Sequence, residues 1–376
     1  MNKETFCASP FGSLFLGPDG GIRFCCSLPD DLGNIKDSSI ESILQSPIAK
    51  SIRQSIIDEK WHPKCSMSCK IIENTGGRAE RNPDLLQSFL ENCPADSVES
   101  DYFRLQHLDL RWTNTCQLQC TYCSPYFSSK WVTTDNMIPI GKVSSEDSVL
   151  QYVADNREFV NTVNMLGGEP LLQKAYLKLF ELLKNQKLQS YYLLSNLSVD
   201  LTNNKIAEKL FEMDNIHWGV SFETIGERFE HVRHNAKWDT LVKNIRILKE
   251  RQPHKINTHP LYSAYSALHM CEYYDFLLSE NCFETAHWQL MLSHPELNVF
   301  MWPKALKHKA LIELEKCITT YGDAFDMTLM KTIYNGLLNS PEGEPLTATP
   351  WLDSLDASIA PGKKADFFRL WPELII

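Results

Sequence analysis

Residues 105–123 read LQHLDLRWTNTCQLQCTYC. The first eight read as a strand, and a loop carrying three cysteines follows directly. Cys116, Cys120 and Cys123 are separated by three and then two residues. Thiolates are soft ligands suited to zinc or to iron–sulfur clusters, and both usually take four ligands. Three thiolates on a cubane leave one iron open, as catalytic metal sites leave a position open and structural ones do not. A structural zinc site completed from elsewhere and a set of unrelated buried thiols are the other readings of the triplet alone.

Outward from this strand the chain alternates. EDSVLQYVADNREF reads as a helix, TVNMLGG (162–168) as a strand and LLQKAYLKLFELLKNQ (171–186) as a helix. YYLLSNLS (191–198) and IHWGVSFE (216–223) are further strands, with the helical NKIAEKLFEMD between them. WDTLVKNIRILKER (238–251) is a helix, and INTHPLYSAY (256–265) and FETAHWQLML (283–292) are strands with a helix between. Strand and helix in turn argue an α/β fold with a parallel sheet, and the apolar runs suit strands covered on both faces. Six such units make a partial (β/α)6 version of the eight-fold barrel, with its chemistry at the carboxyl ends of the strands. The cysteine loop follows the first of them.

The flanks differ in texture. FGSLFLGPDGGIRFCC reads as two short strands joined by the turn GPDGG, and SSIESILQSPIAKSIRQSIIDEK as a helix interrupted or kinked around Pro47. A small cysteine-rich module over 1–95, a barrel over 101–295 and a mainly helical extension over 296–376 are the expected divisions. The 376 residues carry a net charge of −10, which argues against a broad grip on nucleic acid. No stretch reads as a secretory signal or membrane span, so a cytoplasmic protein with no membrane partner is expected. In a reducing compartment the twelve cysteines are read as metal ligands or buried thiols rather than disulfides, and eight of them fall within the first 120 positions.

Cys116-Gln-Leu-Gln-Cys120-Thr-Tyr-Cys123 resembles the CxxxCxxC signature of the radical SAM superfamily. That resemblance implies a [4Fe-4S] cluster whose open iron chelates S-adenosylmethionine, and reductive cleavage to a 5′-deoxyadenosyl radical that removes a substrate hydrogen. Tyr122 would pack near the adenine. MLGGEP (165–170) is similar to the family's GGEP motif, so Gly167, Gly168, Glu169 and Pro170 would hold the methionyl amino group. Ser195 and Asn196, at a strand end, resemble the polar pair near the ribose and carboxylate; a turn or helix cap is the plainer reading of them. VSFETIGERFEHVR resembles a later motif of the family, with Glu223 in place of its usual Asp and Arg233 as the arginine reaching the cofactor carboxylate. The glycine-rich adenine motif of the family has no counterpart that can be located.

Cys7-x12-Gly20-x4-Cys25 has the hairpin spacing of the SPASM and twitch auxiliary-cluster modules, with Cys65-x3-Cys69 completing four thiolates for a second [4Fe-4S] cluster. A four-cysteine zinc site and plain thiols are the alternatives, and Cys26 is a possible substitute ligand. Cys93, Cys271, Cys282 and Cys317 read as buried or incidental. The cysteine hairpin here precedes the barrel. Together with GNIKDSSIESILQS, CKIIENTGGRAERN and FFRLWPEL this resembles twitch domain-containing radical SAM proteins of bacteria and their phages; three residues between Cys65 and Cys69, rather than two, depart from that group. The resemblance implies a radical SAM enzyme that modifies a peptide or protein, with an electron donor such as flavodoxin or ferredoxin. Radical modification of a small molecule, a sugar or nucleoside, is the second expectation, and a non-catalytic iron–sulfur or zinc protein the third. No acid or base stands out as catalytic.

Overall fold

A computed structural model describes residues 6–66, 98–132, 146–188, 190–291, 294–343 and 350–374. The chain divides into two compact units, one of 1–116, 125–193 and 212–216, the other of 117–124, 194–211 and 217–376.

The sheet of the first unit runs in the order Ser190–Ser195, Thr162–Met165, His107–Leu110 and Ser13–Leu16, all parallel, and then Gly21–Arg23 and Gly33–Asn34, antiparallel. His107–Leu110 is buried along its whole length, the polar His107 and Asp109 as well as the two leucines, as in a strand covered on both faces. The N-terminal hairpin joins this sheet directly: Ser13 to Leu16 pair in register with His107 to Leu110. Its turn needs glycine at position 20, where φ is +90°. Serines start the two helices that follow: Ser39 accepts from the Ser42 amide ahead of Ile40–Leu44, and Ser46 from the Ala49 amide ahead of Pro47–Ile57. Pro47 therefore begins a new helix at its first position rather than kinking an old one.

Arg53 lies on the buried face of that second helix with Ala49, Ile52 and Ile56. Its guanidinium donates to the Pro10 and Ser100 carbonyls at 2.8 Å each and to that of Leu44. Three short segments are thereby tied to one helix.

In the second unit Ile216–Val220, Ile256–Thr258 and Phe283–Ala286 are parallel neighbours. Helix Trp238–Arg251 has the limits its sequence suggests. The stretches expected as long strands over 256–265 and 283–292 are each broken. After Thr258 the chain reaches Pro260, which has no N–H for a ladder, and Leu261–Tyr262 instead pairs with Gln289–Leu290 in a separate two-stranded sheet. Helices Lys304–Tyr321, Thr328–Asn339, Pro350–Ser358 and Lys363–Leu370 follow. Trp371, fully buried, donates its indole N–H to the Tyr265 carbonyl at 2.9 Å and anchors this end. The strand–helix succession is that of the expected α/β partial barrel. No helix among the described residues is long and apolar enough to cross a membrane.

Candidate functional site

Three of the four N-terminal cysteines converge. Cys7, Cys25 and Cys65 line one cavity of about 40 Å³, together with Pro10, Phe24, Ile52 and Trp61. Cys7 precedes the short helix Ser9–Gly12, Cys25 leaves strand Gly21–Arg23, and Cys65 sits in helix Pro63–Ser66. His62 shapes that last helix: its Nδ1 accepts the Lys64 amide at 3.2 Å, and its carbonyl accepts the Cys65 amide at 2.9 Å. Cys26 is exposed and does not line the cavity. Cys69 and Cys93 lie outside the described residues. A pocket walled by soft thiols and apolar side chains, with no charged group on its lining, fits an iron–sulfur cluster or zinc and offers nothing to a hard cation.

The turn after strand Thr162–Met165 closes onto the backbone that leads into Cys116. The Gly168 amide donates to the Thr113 carbonyl at 3.3 Å and the Glu169 amide to that of Thr115 at 2.8 Å. A Cβ at Gly168 would lie 2.3 Å from the Thr115 oxygen, and Gly167 has φ +118°. In this structure the glycine pair is what allows these two segments to touch. Glu169 is fully buried; its carboxylate accepts the Leu171 amide at 3.1 Å and caps the turn that Pro170 opens. Cys116 is held from the other side, its amide donating to Ser129 Oγ at 3.2 Å.

Cys120 lies in the two-residue strand Gln119–Cys120, paired antiparallel with Arg233–His234, so that Cys120 stands opposite Arg233. Cys123 closes a turn on it, amide to carbonyl, at 3.0 Å. Tyr122, Glu223 and Arg233 form one buried group. The Tyr122 hydroxyl lies 3.2 and 3.3 Å from the two Glu223 oxygens, and Arg233 Nη2 donates to Glu223 Oε2 at 2.8 Å. The guanidinium also sits 5.7 Å from the centre of the Tyr122 ring. Burial alone would lower the pKa of Arg233, but the neighbouring Glu223, Tyr122 and Cys120 hold it above its ordinary value. Burial raises that of the Tyr122 hydroxyl, with the Glu223 carboxylate and the two thiols adding to the rise. This tyrosine is a hydrogen-bond donor at neutral pH. Nε of Arg233 is buried without a hydrogen-bond partner among the described residues.

Ser195 and Asn196 shape a strand end. Ser195 Oγ accepts the Leu197 amide and Asn196 Oδ1 the Ser198 amide, both at 2.9 Å, around Leu197 with φ +51°. Asn196 Oδ1 also accepts from Gln117 Nε2 at 2.9 Å, linking the cysteine loop to this turn. Asn244 secures the same turn from helix Trp238–Arg251 by donating to the Leu197 and Val199 carbonyls at 2.9 and 2.7 Å. Sequence reasoning passed over Gln117, Ser129, Asn244 and His62. Asn244 had a signal, being a polar residue on the stripe of Leu241, Ile245 and Leu248.

This is an α/β protein in which a thiol-bearing loop follows a buried parallel strand and a separate thiol cavity lies near the N-terminus. Residues 110–266 match the radical SAM superfamily, and residues 7–70 match an iron-sulfur cluster-binding domain. The chain thus carries a radical SAM domain preceded by an iron–sulfur cluster-binding domain. Radical SAM domains hold a [4Fe-4S] cluster with S-adenosylmethionine, and the preceding domain provides for a second cluster. No curated protein matches. Among solved structures, native anSMEcpe with bound AdoMet is 19% identical, covering 58% of this chain and 60% of that one, with a TM-score of 0.43. Streptococcus suis SuiB bound to precursor peptide SuiA is 14% identical, covering 75% and 62%, with a TM-score of 0.41. TYW1 with a lysine-pyruvate adduct bound is 11% identical, covering 56% and 71%, with a TM-score of 0.36. The chain matches 60% of the length of anSMEcpe and 62% of that of SuiB.

Proposed function

We propose that this protein is a radical SAM enzyme acting on a peptide or protein. The observation that carries the reading is the presence of two thiol sets of different character. One is the CxxxCxxC triplet within the radical SAM region, and the other is the group of thiols gathered on a cavity in the iron–sulfur domain. In this assignment Cys116, Cys120 and Cys123 ligate the [4Fe-4S] cluster that leaves one iron open. Cys7, Cys25, Cys65 and Cys69 ligate the second cluster. A cluster held by these three thiolates would, with S-adenosylmethionine bound, supply a 5′-deoxyadenosyl radical.

The residues around it bind and orient. Gly167, Gly168, Glu169 and Pro170 present the turn that receives the methionyl amino group, a carboxylate suiting an ammonium. Ser195 and Asn196 serve the ribose and carboxylate. Arg233, kept charged by Glu223, offers its remaining donors to the cofactor carboxylate, and Tyr122 offers its ring to the adenine. An electron donor of the flavodoxin or ferredoxin kind would supply the reducing electron. A peptide or protein substrate is favoured because modules of the N-terminal kind mostly serve enzymes that modify ribosomally made peptides.

The test is anaerobic incubation of the cluster-loaded chain with a reductant and S-adenosylmethionine. Release of 5′-deoxyadenosine is expected from the wild type and none from Cys120→Ala. Full iron loading with no release from the wild type would contradict the proposal.

A further inference from the structure

Two cysteines with no shared motif meet in the second unit. Cys271 is the second residue of helix Met270–Glu280, and Cys317 lies on helix Lys304–Tyr321. Their Sγ atoms are 3.0 Å apart. Both residues are buried, Cys271 at 5% and Cys317 at 0% exposure. Glu313, four residues before Cys317 and so on the same helical face, places a carboxylate oxygen with them, all three ligand atoms lying within 4.8 Å of one another. Glu313 Oε1 already accepts the Cys271 amide at 2.8 Å, which fixes its rotamer toward the sulfurs.

A second observation points the same way. Tyr262 is 1% exposed and its hydroxyl has no hydrogen-bond partner among the described residues. That hydroxyl is near enough to Cys317 and Glu313 to be influenced by their charge. A buried hydroxyl left unpaired is unfavourable, and a water on a bound ion would satisfy it.

We infer that Cys271, Cys317 and Glu313 form a zinc site that ties helix Lys304–Tyr321 to helix Met270–Glu280, with a water completing four ligands. The donor set selects the ion: two thiolates exclude magnesium and calcium, and a single carboxylate beside them suits zinc. Two Zn–S bonds of about 2.3 Å at a tetrahedral angle set the sulfurs about 3.8 Å apart, so they part by somewhat less than 1 Å when the ion binds. Binding replaces two thiol protons, which leave to solvent, with one divalent cation. Burial of both sulfurs makes the site structural, not catalytic. It is independent of the two iron–sulfur sets, so failure of one assignment leaves the other standing.

The experiment adds Zn2+ to the cluster-loaded full chain, removes the excess and measures zinc and iron per chain. About one tightly held zinc is expected in the wild type. Cys317→Ala should lose it while keeping its iron, and equal zinc in the two proteins would overturn the site. Zinc-edge X-ray absorption on the wild type needs no variant to fold. Two sulfurs at about 2.3 Å with lighter oxygen ligands are expected. Four sulfurs, no bound zinc, or a Cys271–Cys317 disulfide in peptide maps of anaerobically isolated protein would each overturn it.

Discussion

Arg53, in the N-terminal module, and Arg233, beside Cys120, are both buried guanidinium groups near thiol sites, yet their partners differ. Arg53 is fully buried and, among the described residues, hydrogen-bonds only to carbonyls, while its guanidinium lies 5.1 Å from the ring of Phe24, a wall of the thiol cavity. Burial with no bound carboxylate pulls its pKa down to about 10, although Asp101 opposes the shift. Arg233 is paired with the Glu223 carboxylate and is held above its ordinary value. A third case lies between them: Arg111 Nη2 is 3.5 Å from Asp109 Oδ1, and that oxygen has no hydrogen-bond partner among the described residues. A buried charge can thus be stabilised by dipoles, by a loose ion pair or by a tight one. The dipole solution surrounds a site expected to hold a closed cluster, and the tight pair adjoins the loop expected to keep an open one.

The largest effect is expected where the pair is tight. Glu223→Gln leaves Arg233 charged without its counterion and should cost about 3–5 kcal/mol in denaturant titration. A cost below about 1 kcal/mol would mean that water already screens the pair. Arg53→Met removes the donor from two buried carbonyls and one partly buried one and should cost about 3 kcal/mol. If the loss were negligible, dipoles would not be what ties those segments together.

The smallest effect depends on pH. Burial raises the Asp109 carboxyl to about 6, with Arg111 partly opposing it. A raised carboxyl keeps its proton longer in the folded state, so its contribution is present below the unfolded value near 4 and is lost as pH rises through about 6. Wild-type stability should therefore fall between pH 4 and 6 by no more than about 3 kcal/mol, and Asp109→Asn should flatten that fall. Parallel melting curves of the two proteins across that range decide it.

Much of the barrel was legible because its segments announce themselves locally. Helix Trp238–Arg251 has an apolar stripe interrupted only by Asn244, and strand His107–Leu110 leads straight into the cysteine loop. What escaped needed partners far along the chain. Nothing local in SLFL indicates that it would pair with HLDL more than ninety positions later. The motif residues Tyr122, Glu223 and Arg233 were each singled out for a cofactor, but their contact with one another is a property of the folded chain. Arg53 gave a hint as the one charged residue on an apolar helical stripe, the same kind of signal that Asn244 gave. Cys271 and Cys317 gave none, because each lies in an ordinary helical pattern and only packing brings their sulfurs together.

The claim that most needs testing is that the chain holds two separate iron–sulfur sets. Iron per chain and 5′-deoxyadenosine release should be measured together for wild type, Cys120→Ala and Cys25→Ala after identical anaerobic reconstitution. The account expects about eight irons in the wild type and about four in each variant, two [4Fe-4S] clusters becoming one. Cleavage of S-adenosylmethionine should be lost in Cys120→Ala and retained in Cys25→Ala. Four irons in the wild type, or cleavage that survives Cys120→Ala, would contradict it.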